Sequence, residues 1–362
     1  MNKLTPIVFA VMVIMGGCTK APLYTLPPGE SFPFENNHLK MAIVSTSVPS
    51  PQVKDIYFFN ENTGVIITND AKIYKTHDKG ISWSLNYSNA TSNRELASLV
   101  FIDQDVGYAV GTDKNCEVPG CPPPGGFVLK TTDGGETWGT VYQEPGDIEF
   151  DDIAVNHTGE LFLITNSTRG PAEHTGKIMK STDAGSNWTT VDTTNFPLSQ
   201  ITFNNNFGFC TGGYEEGKII RSDDNGNTWA HTVSCGEYWT YDIAFTNNIG
   251  YCIADNLSVY KTNDNGDNWT QAYHSNDYSI YRLNALNDNT CLLWGSGAYT
   301  GGCFGYSYGA VRQTLNAGAD WSEDQFKDIG GIRYTSFYSA TDGYFIGSGA
   351  GGVNLVKVTI NE

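Results

Sequence analysis

The chain has 362 residues, with 21 Lys and Arg against 39 Asp and Glu and a formal net charge of −18. That balance excludes a nucleic-acid partner, whose affinity would come from cations releasing counterions, and broad electrostatic adhesion to anionic lipid. Forty glycines, 20 tyrosines, 18 phenylalanines and a low charge content describe short strands joined by tight turns, and no long helices are expected.

In chain order, residues 1–17 read as a signal peptide, with Lys3 at its positive end, an apolar stretch over 4–15 and small residues ahead of a cysteine. Met15-Gly16-Gly17-Cys18 has the form of a lipobox, so Cys18 is expected to carry lipid. Residues 18–37, polar and interrupted by Pro22, Pro27, Pro28 and Pro33, are then a flexible tether. No other apolar run is long enough to span a bilayer. Lipid, and not a helix, is therefore the expected anchor, and the expected location is the bacterial cell envelope, at the outer membrane, facing the periplasm or the surface.

Residues 38–362 contain an internal repeat. Thr76-His77-Asp78-Lys79-Gly80-Ile81-Ser82-Trp83 returns at 131–138, 181–188, 222–229 and 262–269, and at 314–321 with Asn316 in place of the Asp. The six copies bring together Asp78 and Trp83, Asp133 and Trp138, Asp183 and Trp188, Asp224 and Trp229, Asp264 and Trp269, and Asn316 and Trp321. The chemistry suits a hairpin: the carboxylate accepts N–H groups of its own turn, the Gly permits positive φ, and the indole is an apolar anchor. Upstream of each copy lie further apolar runs, as in Asp242-Ile243-Ala244-Phe245, then Gly250-Tyr251-Cys252-Ile253-Ala254, then Val259-Tyr260-Lys261. With the strand that carries the Trp, each unit holds four strands, which is the content of a propeller blade. A seventh unit over 335–358 stops before its fourth strand, and residues 39–44 are the natural donor for that place. The expected fold is all-β: a single seven-bladed propeller of four-stranded antiparallel blades, its ring closed by an N-terminal strand.

The repeated boxes resemble those of the bacterial neuraminidase-repeat, or Asp-box, propellers, and the unit DIxF…GY…xKTxDxGxxW is most similar to the photosystem II assembly-factor-like branch. The resemblance implies fold more than function, because the same box occurs in sialidases, xyloglucan hydrolases, sortilin-like receptors and non-enzymatic assembly factors. It implies a rigid disc that holds a protein or ligand.

Function on such a disc is expected on the face where each first strand begins. Aligning the first strands on Phe58, Phe101, Val155, Phe203, Phe245, Leu286 and Phe337 puts Lys54, Ala97, Asp151, Ser199, Tyr241, Arg282 and Arg333 at one level. Lys54, Arg282 and Arg333 fall on neighbouring blades and form a candidate anion or carboxylate site; the alternative is that the arginines pair with acidic loop residues. Insertions at 113–126, 167–175 and 296–309 share that face, and Trp239, Tyr241, Tyr299 and Tyr306 supply rings for stacking on a sugar or packing a partner. Seven cysteines remain after Cys18. Cys210, Cys252 and Cys291 read as small buried hydrophobes, whereas Cys116 with Cys121, and Cys235 with Cys303, are expected disulfides. No histidine spacing suggests a metal, and no cofactor is expected. The paired acids of a glycosidase and the arginine triad of a sialidase are not marked. The expectation is a monomeric, non-catalytic binding or assembly scaffold with a protein or glycan partner; the alternative is a carbohydrate-active enzyme, sialidase-like or another glycoside hydrolase, or a glycan-binding protein.

Overall fold

The computed structural model describes residues 33–35, 38–45, 48–49, 52–89, 93–114, 125–146, 148–167, 175–255, 257–276, 278–299, 306–326, 329–349 and 352–361. Among these, every regular element is a strand, and the strands form seven antiparallel sheets. The first strands are Val53–Phe58, Arg94–Phe101, Ile148–Val155, Leu198–Asn204, Thr240–Thr246, Tyr278–Ala285 and Ile332–Phe337. Each touches the first strand of the next blade, and the seventh touches the first. This is a closed seven-bladed propeller with its channel lined by first strands.

Closure uses the N-terminal strand. Leu39–Ser45 pairs antiparallel with Gly352–Ile360, Leu39 opposite Ile360 and Met41 opposite Val358. Leu39 and Met41 are fully buried with Trp294, Phe345 and Val356, so the apolar alternation of this strand finds its core only in the last blade. Burial of that size is worth about 1.5–3 kcal/mol per side chain. Pro33–Glu35 adds a fifth strand outside it.

The boxes are the turns between third and fourth strands. In blade 1 the Ser82 N–H donates to Asp78 Oδ1 at 2.8 Å, the Ser82 hydroxyl to Oδ2 at 2.6 Å, the Gly80 N–H to Thr76 Oγ1 at 2.9 Å, and Trp83 Nε1 to the Gly80 carbonyl at 3.0 Å. The pattern repeats in blades 2 to 5, while in blade 6 the Trp321 Nε1 has no hydrogen-bond partner among the described residues. In blade 6 Asn316 Oδ1 accepts the Asp320 N–H, while its Nδ2 donates to Asp320 Oδ2, so amide and carboxylate have exchanged places without loss of the turn. In blades 1, 2, 4 and 5 the box Trp meets a first-strand ring edge-on, as in Phe58 with Trp83 at 6.3 Å and Phe245 with Trp269 at 5.8 Å. Box glycines also seat blade on blade: Gly226, at φ +82, lies so close to the Phe162 ring of the preceding blade that a Cβ would stand 2.5 Å from it.

Cys210, Cys252 and Cys291 are buried free thiols. Cys235 is free as well, and this corrects the expected bridge to Cys303. Its side chain is 1% exposed and packs inward with Ile219, Ile243 and Cys252, in the core between blades 4 and 5 and not at the loop face. Cys18, Cys116, Cys121 and Cys303 lie outside the described residues.

Candidate functional site

Every first strand breaks register once, at the same height in the channel. The breaks fall between Val53 and Asp55, Leu96 and Ser98, Phe150 and Asp152, Leu198 and Gln200, Thr240 and Ile243, Ile280 and Arg282, and Ile332 and Tyr334. A bulge drops its extra residue from the ladder and re-aims the side chain. The rim of the channel is therefore a ring of Lys54, Ala97, Asp151, Ser199, Tyr241, Tyr281 and Arg333, and one step deeper stands a second ring of Asp55, Ser98, Asp152, Gln200, Asp242, Arg282 and Tyr334.

Arg282 is thus deeper than Lys54 and Arg333. In blade 6, Ala285 pairs with Cys291 as Phe58 pairs with Gly64, so Leu286 is one residue past the equivalent position. Alignment by side-chain size failed there because Ala285 is small and the next residue is not.

The deeper ring sews blades together. A first strand is a sheet edge, and its channel-facing N–H groups need acceptors. Asp55 accepts the Ile56 N–H at 2.8 Å and the Leu99 N–H of blade 2 at 3.1 Å. Asp152 accepts the Ser98 hydroxyl at 2.6 Å and the Ile201 N–H of blade 4 at 2.8 Å. Gln200 Oε1 accepts the Ile243 N–H at 2.7 Å, and Asp242 the Leu283 N–H at 2.7 Å. Arg282, which has only donors, cannot do this for blade 7. Burial pushes Asp55 and Asp152 up to about 6 against the pull of these hydrogen bonds, and raises Asp242 in the same way. For Arg282 burial works downward, but Asp242, Asp55 and Asp152 outweigh it and the net shift is upward.

At the rim, Asp151 is tied by Asn166 Nδ2 at 2.8 Å, and burial with the nearby Glu149 raises it to about 6. Lys114 pairs with Glu149. Among the described arginines, Arg94, Arg221 and Arg312 are held in ion pairs with Asp113, with Asp223 and Asp267, and with Glu323. Arg282 and Arg333 have no ion pair among the described residues. Arg333 is exposed and lies over the Tyr281 ring at 4.9 Å, a cation–π contact that leaves its donors to solvent. Lys54 likewise has no ion pair there. Next to this basic side runs a row of rings from blade 6 to blade 4: Tyr281, then Tyr241 stacked on Trp239 at 6.5 Å, then Tyr214 edge-on to Trp239 at 6.5 Å. Tyr238 is 60% exposed beside them. Tyr299 and Tyr306 pair across the long blade 6 hairpin, and their side chains lie outside those described.

Among solved structures, the chain is similar to YCF48 bound to D1 peptide, at 19% identity and TM-score 0.64 over 91% of this chain and 99% of that one. It shares the YCF48 fold. YCF48 from Cyanidioschyzon merolae matches at 16% identity and TM-score 0.59, over 88% of this chain and 98% of that one. The GH74 xyloglucanase from Xanthomonas campestris matches at 12% identity and TM-score 0.62, over 87% of this chain but 53% of that one, so the chain spans about half its length. No protein-family model matches the sequence, and no curated protein matches it. At such identities the likeness to YCF48 carries architecture and not activity.

Of the residues singled out in sequence, this YCF48-like propeller brings Lys54, Arg333, Asp151 and Tyr241 to one rim, sets Trp239 behind Tyr241, and places Arg282 below them. The sewing role of Asp55, Asp152 and Asp242 was missed. Its signal was in the repeat itself, since each is the Asp of the Asp-Ile pair that opens the unit, Asp55-Ile56, Asp152-Ile153 and Asp242-Ile243. Among the described residues no group of three or more His, Cys, Asp or Glu is placed to hold a metal ion.

Proposed function

We propose that the protein is a non-catalytic scaffold of the bacterial cell envelope, anchored by lipid on Cys18, that holds an extended segment of a partner protein across the loop-rich face of its propeller. The observation that carries this reading is Arg333, exposed, without an ion pair among the described residues and seated on Tyr281, with Lys54 on one side and the row Tyr241, Trp239, Tyr214 on the other. Unpaired cations beside half-buried rings suit a segment with an acidic group and neighbouring apolar side chains. That a propeller of the same fold, YCF48, is known bound to a D1 peptide supports a peptide as the partner. A glycoside hydrolase needs two carboxylates free to act on one bond. Here Asp55, Asp152 and Asp242 are occupied with backbone N–H groups of neighbouring strands, which favours binding over hydrolysis.

The test is cross-linked capture from envelope membranes, comparing the native protein with Arg333→Ala and Trp239→Ala. A specific protein retained by the first and lost by both variants is the expected result. Hydrolysis of any glycoside by clean protein, or capture unchanged in both variants, would overturn the reading. Cys18→Ser is expected to move the protein from the membrane to the soluble fraction.

A further inference from the structure

Below the rim lies a cavity of ≈ 330 Å³, within the range of small-ligand sites. Its walls carry Asp55, Asp151, Asp152 and Asp242 against two cations, Lys54 and Arg282. Each deeper carboxylate is anchored to main chain, so none can swing across to Arg282. The result is a guanidinium with five donors and no hydrogen bond or ion pair among the described residues, faced electrostatically by Asp242, Asp55 and Asp152. A carboxylate oxygen has two acceptor positions, and the sewing bonds do not use them all. The cavity therefore presents unmet donors on the blade 6 side, unmet acceptors on the others, and an excess of negative charge.

We infer that this cavity binds a small group in which a primary ammonium stands beside a carboxylate or carbonyl, the chemistry shared by a free amino acid and the amino-terminal residue of a polypeptide. The ammonium answers the carboxylates, and the oxygen answers Arg282. A simple anion would meet Arg282 but be repelled by the three aspartates, while a bare divalent metal finds no group of three or more His, Cys, Asp or Glu placed to ligate it among the described residues. Water alone would fill hydrogen-bonding positions and leave the charge excess in place. The cavity shares Lys54 with the rim contact proposed above, but the inference stands on Arg282 and the deeper carboxylates and does not rest on that reading.

Titration calorimetry on the purified protein, without any partner, tests this. The probes are glycine and L-lysine, n-butylamine and acetate as half-ligands, and one tetrapeptide with a free or an acetylated amino terminus. Saturable binding of an amino acid or of the free-ended peptide is expected, at least tenfold stronger than either half-ligand or the acetylated peptide. Arg282→Gln is expected to weaken it at least tenfold, as is Asp242→Asn. Because Arg282 makes no structural hydrogen bond among the described residues, its variant keeps the test decisive where Asp242→Asn fails to fold. Binding of only the free amino acid, or only the peptide, identifies which source the site serves. Absence of saturable binding by every amine-bearing probe, or affinity unchanged in Arg282→Gln, would overturn the inference.

Discussion

Replacing Asp152 by Asn should make the protein more stable at neutral pH, although the side chain ties blade 3 to blades 2 and 4. Asn keeps an oxygen to accept the Ile201 N–H, and its amide can donate to the Ser98 hydroxyl, whose hydrogen rotates to suit. What it removes is a carboxylate that burial has pushed from 3.8 to about 6. The folded state holds that proton more tightly than the unfolded chain does. The group's contribution is thus fully present below about pH 4 and is lost as pH rises through 6. A shift of this size corresponds to at most about 3 kcal/mol, and water in the channel reduces it, leaving about 1–2 kcal/mol. In a chain of this length each kcal/mol moves Tm by about 1.5 °C. Scanning calorimetry from pH 4 to 8 should therefore show Asp152→Asn about 2–3 °C above the native protein at pH 7.5, converging with it near pH 4. The box acids provide the opposite limb: Asp133 and Asp264, held near 2 by their turn donors, contribute fully above about pH 4 and lose that contribution as pH falls through 2. A variant destabilised equally at every pH would refute the reasoning, because geometry and not desolvation would then govern the ring.

Gly226→Ala should cost about 2–4 kcal/mol, combining positive φ with a Cβ driven into Phe162, and urea unfolding measures it. Met41→Ala should cost about 2–5 kcal/mol and open the ring first at blade 7, so limited proteolysis should cut near the N-terminal strand before elsewhere. Cys210, Cys235, Cys252 and Cys291 should resist alkylation at pH 8 until the protein is denatured, since burial raises all four thiols, Cys235 to about 12. Mass spectrometry after timed iodoacetamide labelling reads this directly.

What could be read from sequence is what short-range chemistry decides. The hydrogen bonds within each box run between residues no more than four apart, so six turns, their strands and the blade count were legible from spacing. So was closure, because the missing fourth strand of the last unit and the unclaimed apolar strand at 39–44 complete each other. Tertiary structure alone decided the site. The channel gathers residues from Asp55 to Tyr334, and the height of each is set by a bulge in its strand; in blades 2, 4, 5 and 6 an N–H beside the bulge bonds to the blade before it. Alignment on side-chain size puts Arg282 at the rim because Ala285 is small, whereas the register break between Ile280 and Arg282 sets it one step deeper, in the cavity. Cys235 teaches the same lesson: sharing a predicted face does not bring two side chains together when packing turns one of them into the core.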